Sequence, residues 1–205
     1  MHTEPYHTPV LLHEVLELLF TSPTGTYVDA TLGGGGHTEA LVQKLQGTGR
    51  LVAVDADVDA LAFSRNRLAR HGDRVHLVHQ NFGNLKVVLS QLRIEKVAGI
   101  LFDLGVSSFQ LDEPGKGFSF RADQRLDMRM DRSQKFDASL LINTYGEREL
   151  AEVMTKYGEE WHARRIARRI VQRRVVSAVE TTGQLTQLVE EAVGRKDAVK
   201  SLARV

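Results

Sequence analysis

The residues with the clearest chemical potential stand in one block, Tyr27-Val-Asp29-Ala-Thr31-Leu-Gly33-Gly-Gly-Gly36-His37, a strand-like run that breaks into four glycines and resumes as a helix. Glycines at such a turn let the main chain approach a ligand closely and aim helix N-terminal N–H groups at it. Spacing rules out two nucleotide-binding signatures. A dinucleotide fingerprint begun at Gly33 requires glycine where Thr38 stands, and begun at Gly34 it requires glycine where Glu39 stands. A phosphate-binding P-loop closes on Gly-Lys-Ser/Thr, and no lysine occurs before Lys44. What remains is an acidic residue, a glycine loop, and a second acidic residue, Asp55, ending the next strand. That order suits the ribose hydroxyl pair of a ligand without phosphates, which is how S-adenosylmethionine is usually held. A bare glycine-rich turn between strand and helix is the competing reading.

A second group, Asp103-Leu-Gly-Val-Ser-Ser108-Phe-Gln110, follows the most apolar run of the chain. In open α/β sheets ligands sit at the carboxyl ends of strands near the reversal of strand order, so Asp29, Asp55 and Asp103 are expected to converge on one crevice. A third group is basic. The whole chain of 205 residues carries a net charge of only +1, which excludes a uniformly basic nucleic-acid coat protein, yet residues 1–160 hold −5 and residues 161–205 hold +6. The excess is concentrated in Trp161 to Val176, with Arg164, Arg165, Arg168, Arg169, Arg173 and Arg174 and no acid. On a helix the first five of these share one half, and Ala163, Ile166, Ala167, Ile170 and Val171 share the other. Arg174 falls on the apolar side, so the helix is expected to stop before it. Such a face either contacts RNA phosphates or is simply solvated.

These groups need elements to position them. Short apolar runs alternate with helical patterns through the first 110 residues, the signature of βαβ units and a parallel sheet. Strands are expected at Thr26–Ala30, Arg50–Asp55, Val75–His79 and Val97–Asp103. Helices are expected at Leu11–Phe20, His37–Leu45, Val58–Arg70 and Leu85–Leu92. After Asp103 no β-rich run recurs. Residues Gly105–Arg121 read as an ordered loop, and helices are expected at Ala138–Leu141, Glu147–Tyr157, Glu159–Arg173 and Thr182–Val193, the last capped by Thr181 or Thr182. The division is therefore a cofactor-type α/β core over residues 1–110 and a loop with a helical subdomain over 111–205. Cysteine is absent from the sequence, which removes thiolate metal sites and cysteine nucleophiles. No metal is called for. No run reads as a signal peptide or a membrane span, and the expected location is cytoplasmic.

Together, His7-Thr-Pro-Val10, Asp29-Ala-Thr-Leu-Gly-Gly-Gly-Gly-His37, Asn81-Phe82, Asp103-Leu-Gly-Val-Ser-Ser, Gly117-Phe-Ser-Phe120, Leu126-Asp-Met-Arg-Met-Asp131 and Tyr157-Gly-Glu-Glu160 with Ile166-Ala167 resemble the MraW (also called RsmH) family over essentially the whole chain. The resemblance implies an S-adenosylmethionine-dependent methyltransferase acting on the exocyclic N(4) amine of a decoding-centre cytosine in 16S rRNA, with the small ribosomal subunit as partner. It implies a Rossmann-like methyltransferase fold, an α/β parallel sheet of seven strands interrupted after the fourth by a helical insertion. It places Gly35, Gly36 and His37 in the cofactor loop, Asp55 on the ribose, Phe82 beside the adenine, and Asp103 and Gln110 completing the pocket, and Gly33 at the start of the loop is expected to bind the cofactor with them.

The family usually has Gly-Pro where this chain has Gln124-Arg125. It also continues into further strands where this chain reads Leu202-Ala-Arg-Val205. The expectation is a chain holding the first four strands, the fourth at a sheet edge, that binds cofactor but methylates poorly. Methylating cytosine at ring carbon 5 requires a thiolate adduct, so without cysteine only direct in-line attack by an amine or hydroxyl remains. Asp103 or a carbonyl of the following loop is expected to accept the amine hydrogen, with Ser107 and Ser108 as base contacts. A non-catalytic RNA-binding or ribosome-assembly factor keeping the front half of the fold is the main alternative, and a small-molecule methyltransferase the third, against which the arginine helix argues.

Overall fold

Four short apolar runs pair as a parallel sheet whose two central strands are buried on both faces and whose two outer strands are only partly buried. In the computed structural model, which describes residues 9–107, 110–111, 113 and 115–205, the strands are β1 (Thr26–Asp29), β2 (Arg50–Asp55), β3 (Val75–His79) and β4 (Gly99–Leu101), in the order β3-β2-β1-β4. Side chains alternate between two cores. Tyr27, Leu51 and Ala53 pack with Leu41, Val42, Leu61 and Leu68 from helices α2 (Gly36–Lys44) and α3 (Val58–Leu68). Val28, Val52 and Val54 face the other way, against Leu85, Val88 and Ile94 around helix α4 (Leu85–Gln91). Helix α1 (Leu12–Leu19) lies on β4, where a side chain at Gly99 would run into Leu19. The fully buried Tyr27 keeps its hydroxyl satisfied, accepting from Thr21 N and Ser22 N and donating to Ser22 O.

Strand order reverses between β1 and β4, which makes their carboxyl ends the expected ligand crevice. Strands β2 and β3 have the bounds read from the sequence. Strand β4 is three residues rather than the seven of Val97–Asp103. Its pairing is limited by the four-residue β1, and the Asp103 N–H leaves the ladder to donate to Thr31 Oγ1 at 2.7 Å.

The chain divides into two compact units, Met1–Phe109 and Gln110–Val205. The second has its own core, built by α5 (Ala138–Thr144), α6 (Glu147–Gly158), α7 (Ala163–Val176), α8 (Thr182–Val193) and α9 (Arg195–Leu202). Helix α7 packs its Ala163, Ile166, Ala167 and Ile170 face against α6 and α8. Burial of each isoleucine contributes about 1.5–3 kcal/mol. Thr181 caps α8, accepting from Gln184 N at 3.2 Å.

Three expectations need correction here. The helix expected over Glu159–Arg173 is interrupted, because Glu159 ends α6 in the left-handed region at φ 53° and α7 starts only at Ala163. That helix runs past Arg174 to Val176, and Arg174 avoids the apolar core by donating from Nη1 to Ile142 O at 2.8 Å. Helix α9 lies where no helix was expected. At Gln124-Arg125, Gln124 Oε1 takes the Gly115 N–H at 2.7 Å and Arg125 pairs with Asp137 at 3.2 Å, so side chains fix this loop.

Candidate functional site

The glycine loop is held from three sides. Gly33 N–H donates to Asp55 Oδ2 at 2.7 Å, and the Gly33 carbonyl accepts from Ser64 Oγ at 2.7 Å. Arg67 Nη1 reaches the Gly34 carbonyl at 3.1 Å, while its Nε is anchored on Glu39 at 2.7 Å. With both carbonyls drawn toward α3, the loop peptides are locked in orientation. Gly35 sits at φ 75° with Ser64 Oγ 3.0 Å from where a Cβ would stand, so only glycine fits there. Gly36 is required for a different reason: a Cβ would collide with the Pro9 ring.

Asp55 ends β2 with each carboxylate oxygen already engaged once, Oδ2 by Gly33 N–H and Oδ1 by Asp57 N–H at 2.8 Å. A carboxylate oxygen accepts two hydrogen bonds, so two acceptor positions remain. Burial raises the Asp55 pKa above the ordinary 3.8, against the pull of the Asp57, Gly33 and Ala56 N–H groups.

Asp29 does not join the crevice as expected. It is 1% exposed, and its oxygens accept from Thr38 Oγ1 at 2.7 Å and Thr31 N at 3.1 Å. Burial raises its pKa too. Asp29 therefore braces the end of β1 against the first turn of α2, and Thr31 passes that brace on to the Asp103 main chain.

Asp103 lies half-exposed just beyond β4, with Oδ2 3.7 Å from His37 Nδ1. On its other side the His37 ring places Nε2 3.0 Å from the Val10 carbonyl, which can only accept, so Nε2 carries the proton. Phe82 follows the Asn81 cap, partly exposed and edge-on to Phe102 with ring centroids 5.8 Å apart. Gly33, His37, Asp55 and Asp103 are thus linked through strand ends, and Phe82 and Phe102 add an apolar shelf. Ser107 is partly buried, and Ser108 lies outside the described residues. Gln110 is buried at the head of the second unit and is described with that unit.

On α7, the arginines divide into two kinds. Arg168 pairs with Glu147 at 3.4 Å, Arg169 with Glu191 at 2.9 Å, and Arg173 bonds to Ser177. Among the described residues Arg164 and Arg165 have no ion-pair partner and stand exposed. Sequence reasoning missed Ser64, Arg67 and Thr38. The signal was slight: Ser64 and Arg67 stand three apart on one helix face, but their acceptors are main-chain carbonyls more than thirty residues away.

A parallel α/β unit with a glycine loop and an acid at the next strand end, followed by a helical unit bearing an arginine face, defines a nucleoside-cofactor type of fold. The sequence profile of the MraW methylase family matches residues 4–204. This chain belongs to that family. It is 44% identical over 187 residues to the ribosomal RNA small subunit methyltransferase H of Fusobacterium nucleatum, covering 91% of this chain and 60% of that protein. It is 48% identical over 189 residues to the protein of the same name from Heliobacterium modesticaldum, covering 92% and 60%. The chain thus spans about 60% of the length of the curated relatives it matches.

Proposed function

We propose that this chain binds S-adenosylmethionine at the Gly33–His37 loop and serves methylation of small-subunit 16S rRNA in the cytoplasm, with the exocyclic N(4) amine of a decoding-centre cytosine as acceptor. Asp55 carries the reading. Its carboxylate, fixed by two N–H donors with two acceptor positions left over, is a preorganised receptor for a ribose diol. The Phe82 edge offers an apolar surface for an adenine. The assignment of Gln110 to the cofactor rests on the family resemblance alone.

Bound there, S-adenosylmethionine supplies an electrophilic methyl group on a sulfonium. The chain's part is alignment. The lone pair of the cytosine amine is delocalised into the ring, so a side chain that accepts its N–H holds it in line and takes the proton. Asp103 is the acceptor we assign, oriented by Thr31 through its main chain and facing His37. Alignment of this kind is worth at most roughly 7–11 kcal/mol. No residue of the chain can form the thiolate adduct that carbon-5 methylation needs. Arg164 and Arg165 supply phosphate contacts, with Arg168 and Arg169 beside them once their acidic partners release them.

Transfer of labelled methyl from S-adenosylmethionine to small ribosomal subunits, followed by nucleoside analysis, tests the reading. N(4)-methylcytidine is expected, in low yield. Cofactor binding with no transfer to any subunit would instead favour the non-catalytic assembly factor, and transfer to small molecules alone would overturn the RNA reading.

A further inference from the structure

The break between α6 and α7 leaves an unusual combination of side chains. Trp161, the only tryptophan of the chain, is 85% exposed. Among the described residues its ring has no aromatic or cationic partner, whereas the ring of nearby Tyr157 is covered by Lys156 Nζ at 5.0 Å from its centroid. Beside Trp161 is a depression of about 630 Å³ that Glu160, His162, Arg164 and Arg165 also line. That volume lies within the range of about 300–1,000 Å³ usual for small-ligand sites. Glu160 is 2% exposed. One of its oxygens accepts from His162 N at 2.7 Å, and the other, Oε2, is buried with no hydrogen-bond partner. A buried carboxylate oxygen without a donor is costly, and a ligand bearing an N–H group would relieve it.

We propose that this depression is a nucleobase subsite: an unstacked base of single-stranded RNA lies on the Trp161 indole, its amine edge donates to Glu160 Oε2, and the flanking phosphates meet Arg164 and Arg165. The inference rests on the RNA-binding reading above and adds to it a class of substrate, an unpaired segment rather than a duplex. Aromatic stacking is available to every base, so affinity comes from Trp161 and the arginines. Selectivity comes from Glu160. Cytosine, adenine and guanine each present an exocyclic amine to a carboxylate, whereas uracil flanks its single N–H with two carbonyls that repel it. An RNA partner is favoured over a protein because the exposed indole is followed, after His162 and Ala163, by two arginines without an ion-pair partner among the described residues, on a helix with no acid.

The solitary tryptophan gives a direct readout. Intrinsic fluorescence is recorded while the protein is titrated with short single-stranded oligocytidylate or oligouridylate, and anisotropy of the end-labelled oligonucleotides reports binding independently. Saturable quenching is expected, tighter with oligocytidylate. Trp161→Ala should weaken oligocytidylate binding roughly 5- to 150-fold, the range set by loss of one stacked base, with Trp161→Phe recovering much of it. Glu160→Gln should abolish the preference for cytidylate while leaving the quenching by both oligonucleotides. Binding seen by anisotropy without quenching, or unchanged affinity in Trp161→Ala, overturns the subsite and leaves the arginine face standing. No binding by anisotropy to either oligonucleotide overturns both.

Discussion

Substituting Asp55 by Asn perturbs the cofactor site at its best-defined point. The amide keeps one acceptor oxygen, which can hold either the Gly33 or the Asp57 N–H, but its NH2 group then faces the other donor. One of two partly buried N–H groups loses its partner, at about 1–3 kcal/mol of stability, and the loop begins to drift. The ligand loses more. Two ribose hydroxyls donating to a carboxylate are worth about 1.5–3 kcal/mol each, so even one lost bond exceeds the 1.4 kcal/mol that makes a tenfold change in Kd. Calorimetric titration with S-adenosylmethionine, well below the unfolding temperature of the variant, should show affinity reduced at least tenfold. The raised Asp55 pKa adds a second arm: protonation starts at a higher pH than for an ordinary carboxylate, so wild-type affinity should already decline somewhat above pH 3.8 as the solution is acidified. A Kd within twofold of wild type for folded Asp55→Asn would refute the assignment of the ribose.

Ser64→Ala strands the Gly33 carbonyl and Arg67→Met frees that of Gly34; both should weaken cofactor binding in calorimetry, and Arg67→Lys should recover part of the loss. Reversing charge at Arg164 and Arg165 together should weaken RNA binding at low salt and reduce the slope of log affinity against log salt by about 2, with cofactor affinity unchanged. The raised pKa of Asp29 means the native state keeps a proton over a window in which the unfolded chain has lost it. Its stabilising contribution is therefore complete below pH 3.8 and lost as pH rises through the native value. Urea unfolding across pH should show the stability of wild type relative to Asp29→Asn declining through that window and level above it.

Much of this arrangement was legible in residue order, and what was not has identifiable causes. β2 could be read to the residue because a continuous apolar run such as Leu51-Val-Ala-Val54 has few alternatives to a doubly covered strand. The glycine loop and Asp55 were legible because only glycine tolerates the backbone at Gly35 and the acid closes the neighbouring strand. The break at Glu159 was not, since Gly158 and Glu159 interrupt an otherwise helical spacing without a proline, and the left-handed residue is Glu159 rather than the glycine before it. Arg174 misled because periodicity assigns a side, while a guanidinium can lie along an apolar face and end on a carbonyl such as that of Ile142. Asp29 misled for a related reason. Its place at a strand end was correct, but Thr31 and Thr38, both polar and both close in sequence, satisfied it inward rather than leaving it to a ligand.

If a methyl-donor cofactor occupies the carboxyl ends of β1, β2 and β4, amide chemical shifts recorded during titration with S-adenosylmethionine must report it there. Saturable shifts clustered at Gly33 to His37, Asp55 to Asp57, Phe82 and Asp103 are expected. Saturable binding whose shifts lie wholly in other segments, or no shift in these amides at saturating cofactor, would contradict it.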